Sequence, residues 1–163
     1  MRAKSSERRL VQRGFTMVEL IAIILVVGVL AVVAVPKFDS AMSLRNDTAH
    51  DEVVAALRYA SQTAQSHRRL VCADVGATSV TLRIATNRSA SACDTALTGP
   101  DGSAAYTTNA GNTGLSLSPG GTIYFQPDGR ATSDGAGNTA SSRTLTVTGS
   151  SSIIVLGETG LVR

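Results

Sequence analysis

The sequence RGFTMVEL at residues 13–20 is followed at once by an uncharged apolar run that lasts until Val35. At a rise of about 1.5 Å per residue, a helix over residues 15–35 is long enough to cross a hydrocarbon core about 30 Å thick. Glu19 places a carboxylate inside that helix, where a charge costs on the order of 2.5 to 3.5 kcal/mol at mid-bilayer and less near the edge. Such a residue indicates a functional site, and the helix itself offers it no partner.

This N-terminal sequence resembles that of a known family. Its features are Gly14 followed by Phe15, a lone acid at Glu19, an apolar helix, and Pro36 at the end of the apolar run. Together they are similar to the signature of type IV pilins and type II secretion pseudopilins. The resemblance implies that a prepilin peptidase cleaves between Gly14 and Phe15 and methylates the new amino group of Phe15. It also implies that Glu19 pairs with the terminal amine of a neighbouring subunit during filament assembly.

The charge of the chain is concentrated in its first residues. Residues 1–14, the expected cytoplasmic leader, hold five basic side chains and one acidic one, so their removal changes the formal charge from +3 to −1. Because short flanks rich in Lys and Arg stay cytoplasmic, we expect a single-pass protein of the bacterial inner membrane with its C-terminal domain in the periplasm. The mature charge does not indicate a nucleic-acid partner, although a net charge of −1 is compatible with a local basic patch.

A secreted enzyme with an atypical signal peptide is the alternative. An ordinary signal has a shorter apolar core and a small-residue cleavage site, which residues 31–35 could imitate. This alternative predicts a soluble product that begins after those residues. It gives no role to Glu19 or to the pair Gly14 and Phe15.

The helix is expected to continue beyond Pro36. Proline either ends a helix or bends it, but apolar side chains recur at three- to four-residue spacing after it, with charged ones between them. These apolar positions are Phe38, Met42, Ala49, Val53, Leu57, Ala60 and Ala64. We therefore predict one helix from residue 15 to about residue 66, kinked at Pro36, in which residues 36–67 form an amphipathic continuation that packs on a domain.

The pattern changes to β-structure after residue 67. Residues 70–75 and 79–85 predict a hairpin, and the segments 86–114 and 131–142 are polar and are expected to be loops. Further strands are predicted at residues 114–117, 122–126, 143–148 and 152–156. Residues 68–163 should therefore form an antiparallel β domain behind one long helix, and the fold class is α+β with a pilin-like arrangement.

The C-terminal half extends the resemblance. GspH/FimT-type minor pilins and pseudopilins have a similar strand at 122–125 with its turn at 127–130, a similar strand at 144–147 and similar closing residues 153–163. Residues 55–60 running into residues 68–72 resemble the same subgroup, including the mannose-sensitive haemagglutinin minor pilins. The resemblance implies a structural subunit whose partners are other pilin or pseudopilin subunits, the prepilin peptidase, the inner-membrane assembly platform and membrane lipid. Whether the filament is a pilus or a secretion pseudopilus stays open.

Cys72 and Cys93 are predicted to form a disulfide. Both follow the membrane segment and lie on the extracytoplasmic side, where disulfides persist. The alternative is two unlinked thiols, one in a strand and one in a mobile loop. Two cysteines without a clustered histidine fall short of a tetrahedral metal site.

The sequence does not predict an enzyme or a cofactor. It contains no nucleophile elbow, no paired metal-ligating histidines and no phosphate-binding loop. His50 and His67 are separated by nearly five turns of the helix and are interpreted as surface residues. Asp128 and Asp134 could bind calcium with nearby carbonyls, but a calcium loop needs several acids at alternating positions.

DNA binding is the remaining alternative, because some minor pilins of the resembling type bind DNA during uptake. Arginines brought together near the sheet edge could hold phosphates. The candidates are Arg68, Arg69, Arg130, Arg143 and Arg163. The mature charge of −1 and the scarcity of aromatic residues for base stacking count against this role.

Overall fold

The computed structural model describes residues 15–110 and 113–163, without the side chains of residues 32–43 and 109. One helix, α1 (Met17–His67), precedes nine short strands in this part of the chain. The chain divides into two units, Met1–Ser40 and Ala41–Arg163, and the boundary between them falls within the residue range of α1. The helix includes Pro36, whereas the kink expected there stays a prediction.

The second half of α1 packs on the β-structure of its own unit. Its buried face consists of Ala49, Val53, Ala56, Leu57, Ala60 and Ala64, each at most 5% exposed, and these residues form one hydrophobic cluster with the strands. The stripe predicted from the sequence is confirmed from Ala49 onward. Four of the six residues are alanines, and such small side chains let the helix backbone approach the sheet closely.

The end of α1 has a defined cap. The N–H of Arg69 donates to the carbonyl of Ala64 at 3.1 Å, and Arg68 adopts a φ of 52°. This is the Schellman arrangement, in which a left-handed residue just beyond the helix turns the chain away. The turn leads directly into the first strand.

The strands form two antiparallel sheets. The strands are β1 (Val71–Val75), β2 (Ser79–Ile84), β3 (Thr95–Ala96), β4 (Thr107–Asn109), β5 (Leu115–Ser118), β6 (Ile123–Phe125), β7 (Ala131–Thr132), β8 (Arg143–Val147) and β9 (Ser152–Val155). The larger sheet has the order β3-β2-β1-β6-β7, with β4 also paired to β2, and the smaller has the order β5-β8-β9. A long helix packed on antiparallel sheets is the predicted α+β class.

The hairpin of β1 and β2 is confirmed, with Val71 opposite Ile84 and Val75 opposite Val80. The prediction that residues 86–114 lack structure is wrong in part, because β3 and β4 pair with the outer edge of β2. The loop predicted over residues 131–142 likewise contains β7, which pairs with β6. These strands are only two or three residues long, which is too short to show the alternation of apolar and polar side chains that predicts a strand.

The core lies between the helix and the two sheets. The largest fully buried side chains include Phe125, Leu57, Leu82, Ile123 and Leu145. In β8, buried and exposed positions alternate along the strand, as expected for a strand with one face on the core. This packing fixes the loops that carry the features described below.

Candidate assembly site

The first turn of α1 is capped by Thr16. The N–H of Glu19 donates to the Thr16 hydroxyl oxygen at 3.2 Å, and the N–H of Leu20 donates to the Thr16 carbonyl at 3.1 Å. Glu19 is thus the third residue of the helix, in the field of its positive end, where a carboxylate is favoured. Its side chain is exposed and forms no salt bridge with any residue that the structure describes.

The helix beyond this turn exposes apolar side chains on all sides. Every residue from 15 to 31 is exposed, with Phe15 at 71% and Met17 at 83%. A continuous apolar surface of this extent marks a contact with lipid or with other proteins. Glu19 is the single charged residue on it.

Within the described part of the chain, no helix is both long and apolar enough to span a membrane. Gly14, the residue expected before the cleaved bond, and the rest of the leader lie outside the described residues. The cleavage between Gly14 and Phe15, and the methylation of Phe15, stay predictions.

The disulfide between Cys72 and Cys93 is confirmed. It joins β1 to the loop that follows β2, and both cysteines pack with Leu70 and Ala85 in a small buried cluster. The loop is further held by Asp94, whose carboxylate accepts from the N–H and the hydroxyl of Thr86 at 2.8 and 2.7 Å. These hydrogen bonds lower the pKa of Asp94 below its ordinary value.

Removal of both cysteines, in the variant Cys72→Ser/Cys93→Ser, is expected to lower the free energy of unfolding by about 3 kcal/mol, because a bridge of this span restricts the unfolded chain. Its sequence separation is 21 residues. Urea unfolding of both proteins measures the difference. Dithiothreitol should destabilise the native protein by a similar amount and leave the variant unchanged. Equal unfolding midpoints in all samples would contradict a stabilising bridge.

Arg143 is not available to a phosphate. Its side chain is buried, with 5% of the residue exposed, and Nη1 donates to the carbonyls of Pro119 and Gly120 at 2.8 and 3.2 Å. These contacts hold the loop before β6 against the start of β8. The DNA-contact hypothesis is therefore corrected at this residue, since a buried guanidinium cannot reach a DNA backbone.

Arg130 is held by its own turn and by the loop that follows β7. Its Nε donates to Asp128 Oδ2 at 2.8 Å and its Nη2 to the Gly137 carbonyl at 3.2 Å. Partial burial opposes ionisation of Asp128, but the hydrogen bonds and charge of Arg130 prevail and hold the pKa of Asp128 below its ordinary value. Of the five arginines considered for DNA contact, three form no side-chain hydrogen bond within the described chain, namely Arg68, Arg69 and Arg163.

The two acids considered for calcium are used by the protein. Asp128 binds Arg130, and Asp134 Oδ1 accepts from the Asn138 side chain at 3.2 Å. No group of three potential metal-ligating side chains occurs in the residues that the structure describes. The structure therefore provides no support for a calcium site.

His50 takes part in a chain of polar contacts. Its Nε2 lies 3.2 Å from the Ser151 hydroxyl, and its Nδ1 lies 3.3 Å from Asp51 Oδ1. This is the connectivity of a catalytic triad, but Asp51 is 85% exposed and Ser151 is exposed too. Charge stabilisation in catalysis depends on a water-excluded site. The contacts hold the turn between β8 and β9 against α1, as does the bond from Ser150 to Asp47.

The chain is similar to a solved minor pilin. This is the crystal structure of the type IV minor pilin FimU from Pseudomonas aeruginosa, with a TM-score of 0.49 and 14% identity over 72% of this chain and 90% of that chain. No protein-family model matches the chain, and no curated protein matches it.

The role of Thr16 as the cap of α1 was not predicted from the sequence. A threonine three residues before a glutamate, ahead of an apolar run, is the pattern of a capping box. That pattern gives Glu19 a local role at the start of α1 in addition to the assembly role implied by the resemblance. The capping hydrogen bond in the structure uses the backbone N–H of Glu19, whereas assembly would use its carboxylate, so variants can separate the two roles.

Proposed function

We propose that this chain is a minor pilin or pseudopilin, a structural subunit of a type IV pilus or of a type II secretion pseudopilus. The observation that carries the proposal is the start of α1, an exposed apolar helix with a single carboxylate in its capped first turn. A subunit whose helix is buried among other helices in a filament explains both features. The apolar surface supplies the packing, and the carboxylate supplies a specific contact.

The proposed partner of Glu19 is the amino group of Phe15 on a neighbouring subunit. Two unit charges about 4 Å apart attract with about 1 kcal/mol in water and about 4 kcal/mol at an effective dielectric constant near 20. The attraction therefore grows as neighbouring helices exclude water from the first turn. It also specifies the axial register between subunits, because the Glu19 carboxylate pairs with a single amino group on the neighbouring helix.

Before assembly, the apolar segment would lie in the bacterial inner membrane. The cationic leader favours a cytoplasmic N-terminus and hence a periplasmic C-terminal domain, stabilised there by the disulfide. An assembly platform in the inner membrane would then extract the subunit from lipid into the filament. In this proposal, the prepilin peptidase acts first and creates the amine that Glu19 binds.

Mass spectrometry of the mature N-terminus tests the proposal. We expect the native chain to begin at an N-methylated Phe15, and the variant Gly14→Ala to retain residues 1–14, because the peptidase of the resembling family cuts after glycine. Gly28→Ala is the matched control, since a Cβ at Gly28 would meet nothing within 4 Å, and it should be processed normally. A mature chain that begins after residues 31–35 would instead support a secreted protein.

A further inference from the structure

A groove of about 480 Å³ lies between α1 and the loop that connects β3 to β4. We call it the Tyr106 groove. Its lining includes Glu52, Pro100, Asp101, Ser103, Tyr106 and Thr107. Glu52 comes from α1 and the other residues come from the loop and β4, so the groove exists only in the folded domain.

A tight turn at Gly99 brings the loop side chains together. The N–H of Gly99 donates to the Ser103 carbonyl at 2.9 Å, and the N–H of Gly102 donates to the Gly99 carbonyl at 3.0 Å. A Cβ on Gly99 would collide with the side chains of Asp101, Ser103 and Tyr106. These three side chains therefore lie together in the space beside Gly99 that a larger residue would occupy.

Two carboxylates give the groove a negative charge. Hydrogen bonds from the Ser103 hydroxyl and N–H hold the pKa of Asp101 below its ordinary value, so Asp101 is ionised at neutral pH. Burial, and then the charges of Glu52 and Asp101, raise the pKa of the Tyr106 phenol. Neither carboxylate forms a salt bridge with a basic group in the described residues.

An aromatic ring stands beside these charges. The ring centroid of Tyr106 lies 5.5 Å from that of Tyr59, at an interplanar angle of 37°. Tyr59 is itself held by a hydrogen bond from its hydroxyl to the Thr98 carbonyl at 2.8 Å. The Tyr106 ring is thus supported from one side by the domain, and its position is defined before any ligand arrives.

We propose that the Tyr106 groove binds an arginine side chain of a partner protein. A guanidinium group is planar and weakly hydrated, stacks on aromatic rings and donates hydrogen bonds to carboxylates. The negative groove is complementary to it in charge and in chemistry. The ammonium of lysine is compact and strongly hydrated, which makes it a poorer match to a tyrosine face.

The shape of the groove favours a side chain anchored on a protein over a free small molecule. Sites for small molecules enclose most of the ligand surface, whereas this groove is open to solvent. An arginine on a partner surface brings neighbouring residues that cover the rim. The proposal does not depend on the role of Glu19 in assembly, and it concerns a different surface of the chain.

Amide signals of tyrosine provide a direct test. The chain has three tyrosines, Tyr59, Tyr106 and Tyr124, so selective ¹⁵N-tyrosine labelling of the full chain in neutral detergent micelles gives one probe in the groove, one beside it and one in β6. The ligand is the blocked peptide Gly-Ser-Arg-Ser-Gly, and the same peptide with citrulline is the uncharged control. We expect a saturable shift at Tyr106 with a Kd on the order of millimolar, a smaller shift at Tyr59 and none at Tyr124.

The variant Glu52→Gln/Asp101→Asn should bind the arginine peptide about fivefold more weakly, because it removes two exposed charge pairs that each contribute about 0.5 kcal/mol. Glu158→Gln changes an exposed carboxylate in another turn and should bind normally. Unchanged Tyr124 signals would show that the double variant is folded. Equal shifts with the citrulline peptide, no saturable shift, or unchanged binding by the double variant would overturn the proposal.

Discussion

The variant Glu19→Ala is expected to be cleaved and inserted into the membrane like the native chain, but to enter filaments at least about tenfold less, a loss of about 1.4 kcal/mol. The reason is that Glu19 has the only charged side chain on the apolar surface of residues 15–31 and has no salt-bridge partner within the described chain. Loss of the ion pair removes an attraction that grows in low dielectric. Quantitative immunoblots of sheared filaments and of membranes measure the ratio.

Two further variants separate this assembly role from helix capping. Glu19→Gln keeps the size of the side chain and the backbone N–H that bonds to Thr16, but it removes the charge, and it should fail like Glu19→Ala. Thr16→Ala removes the cap at a cost of about 1 kcal/mol of helix stability and keeps the carboxylate, and it should still be incorporated. Normal filament incorporation of Glu19→Ala would remove the proposed mechanism.

The variant Leu57→Ala is expected to lower the free energy of unfolding of the domain by about 3 to 5 kcal/mol, because it leaves a cavity in a close-packed core. Leu57 is fully buried against the strands. Unfolding of the full chain in urea, followed by near-ultraviolet circular dichroism in neutral detergent, provides the measurement.

Leu44→Ala is the matched control, since it makes the same change on the same helix at a residue that is 68% exposed. Helix propensity changes equally in both variants, so their difference reports burial alone. We expect Leu44→Ala to stay within about 0.5 kcal/mol of the native protein. Similar losses in the two variants would contradict the packing of α1 on the sheets.

The predictable parts of the fold are those with long periodic patterns. Ala49, Val53, Leu57, Ala60 and Ala64 repeat at helical spacing, and they form the buried face of α1. The alternation in β2 likewise predicts its hairpin with β1. The strands β3, β4 and β7 were missed because two or three residues carry no pattern, and they pair only because a neighbouring strand offers an unoccupied edge.

Individual polar residues were harder to predict than the fold. Arg143 was predicted to be a surface charge, but its guanidinium is buried in the domain and donates hydrogen bonds to the carbonyls of Pro119 and Gly120. The Tyr106 groove was not predicted, because Glu52 and Asp101 are about fifty positions apart in the chain. A sequence pattern reports neighbours along the chain, and these contacts join distant segments.

By itself, the sequence determined the apolar helix with its lone Glu19, the amphipathic stripe beyond Pro36 and the α+β class, because each depends on local periodicity or composition. Only the tertiary structure decided the two-sheet topology, the burial of Arg143 and the Tyr106 groove. The physical reason is that these features arise from contacts between residues far apart in sequence, which form only when the chain packs around its core.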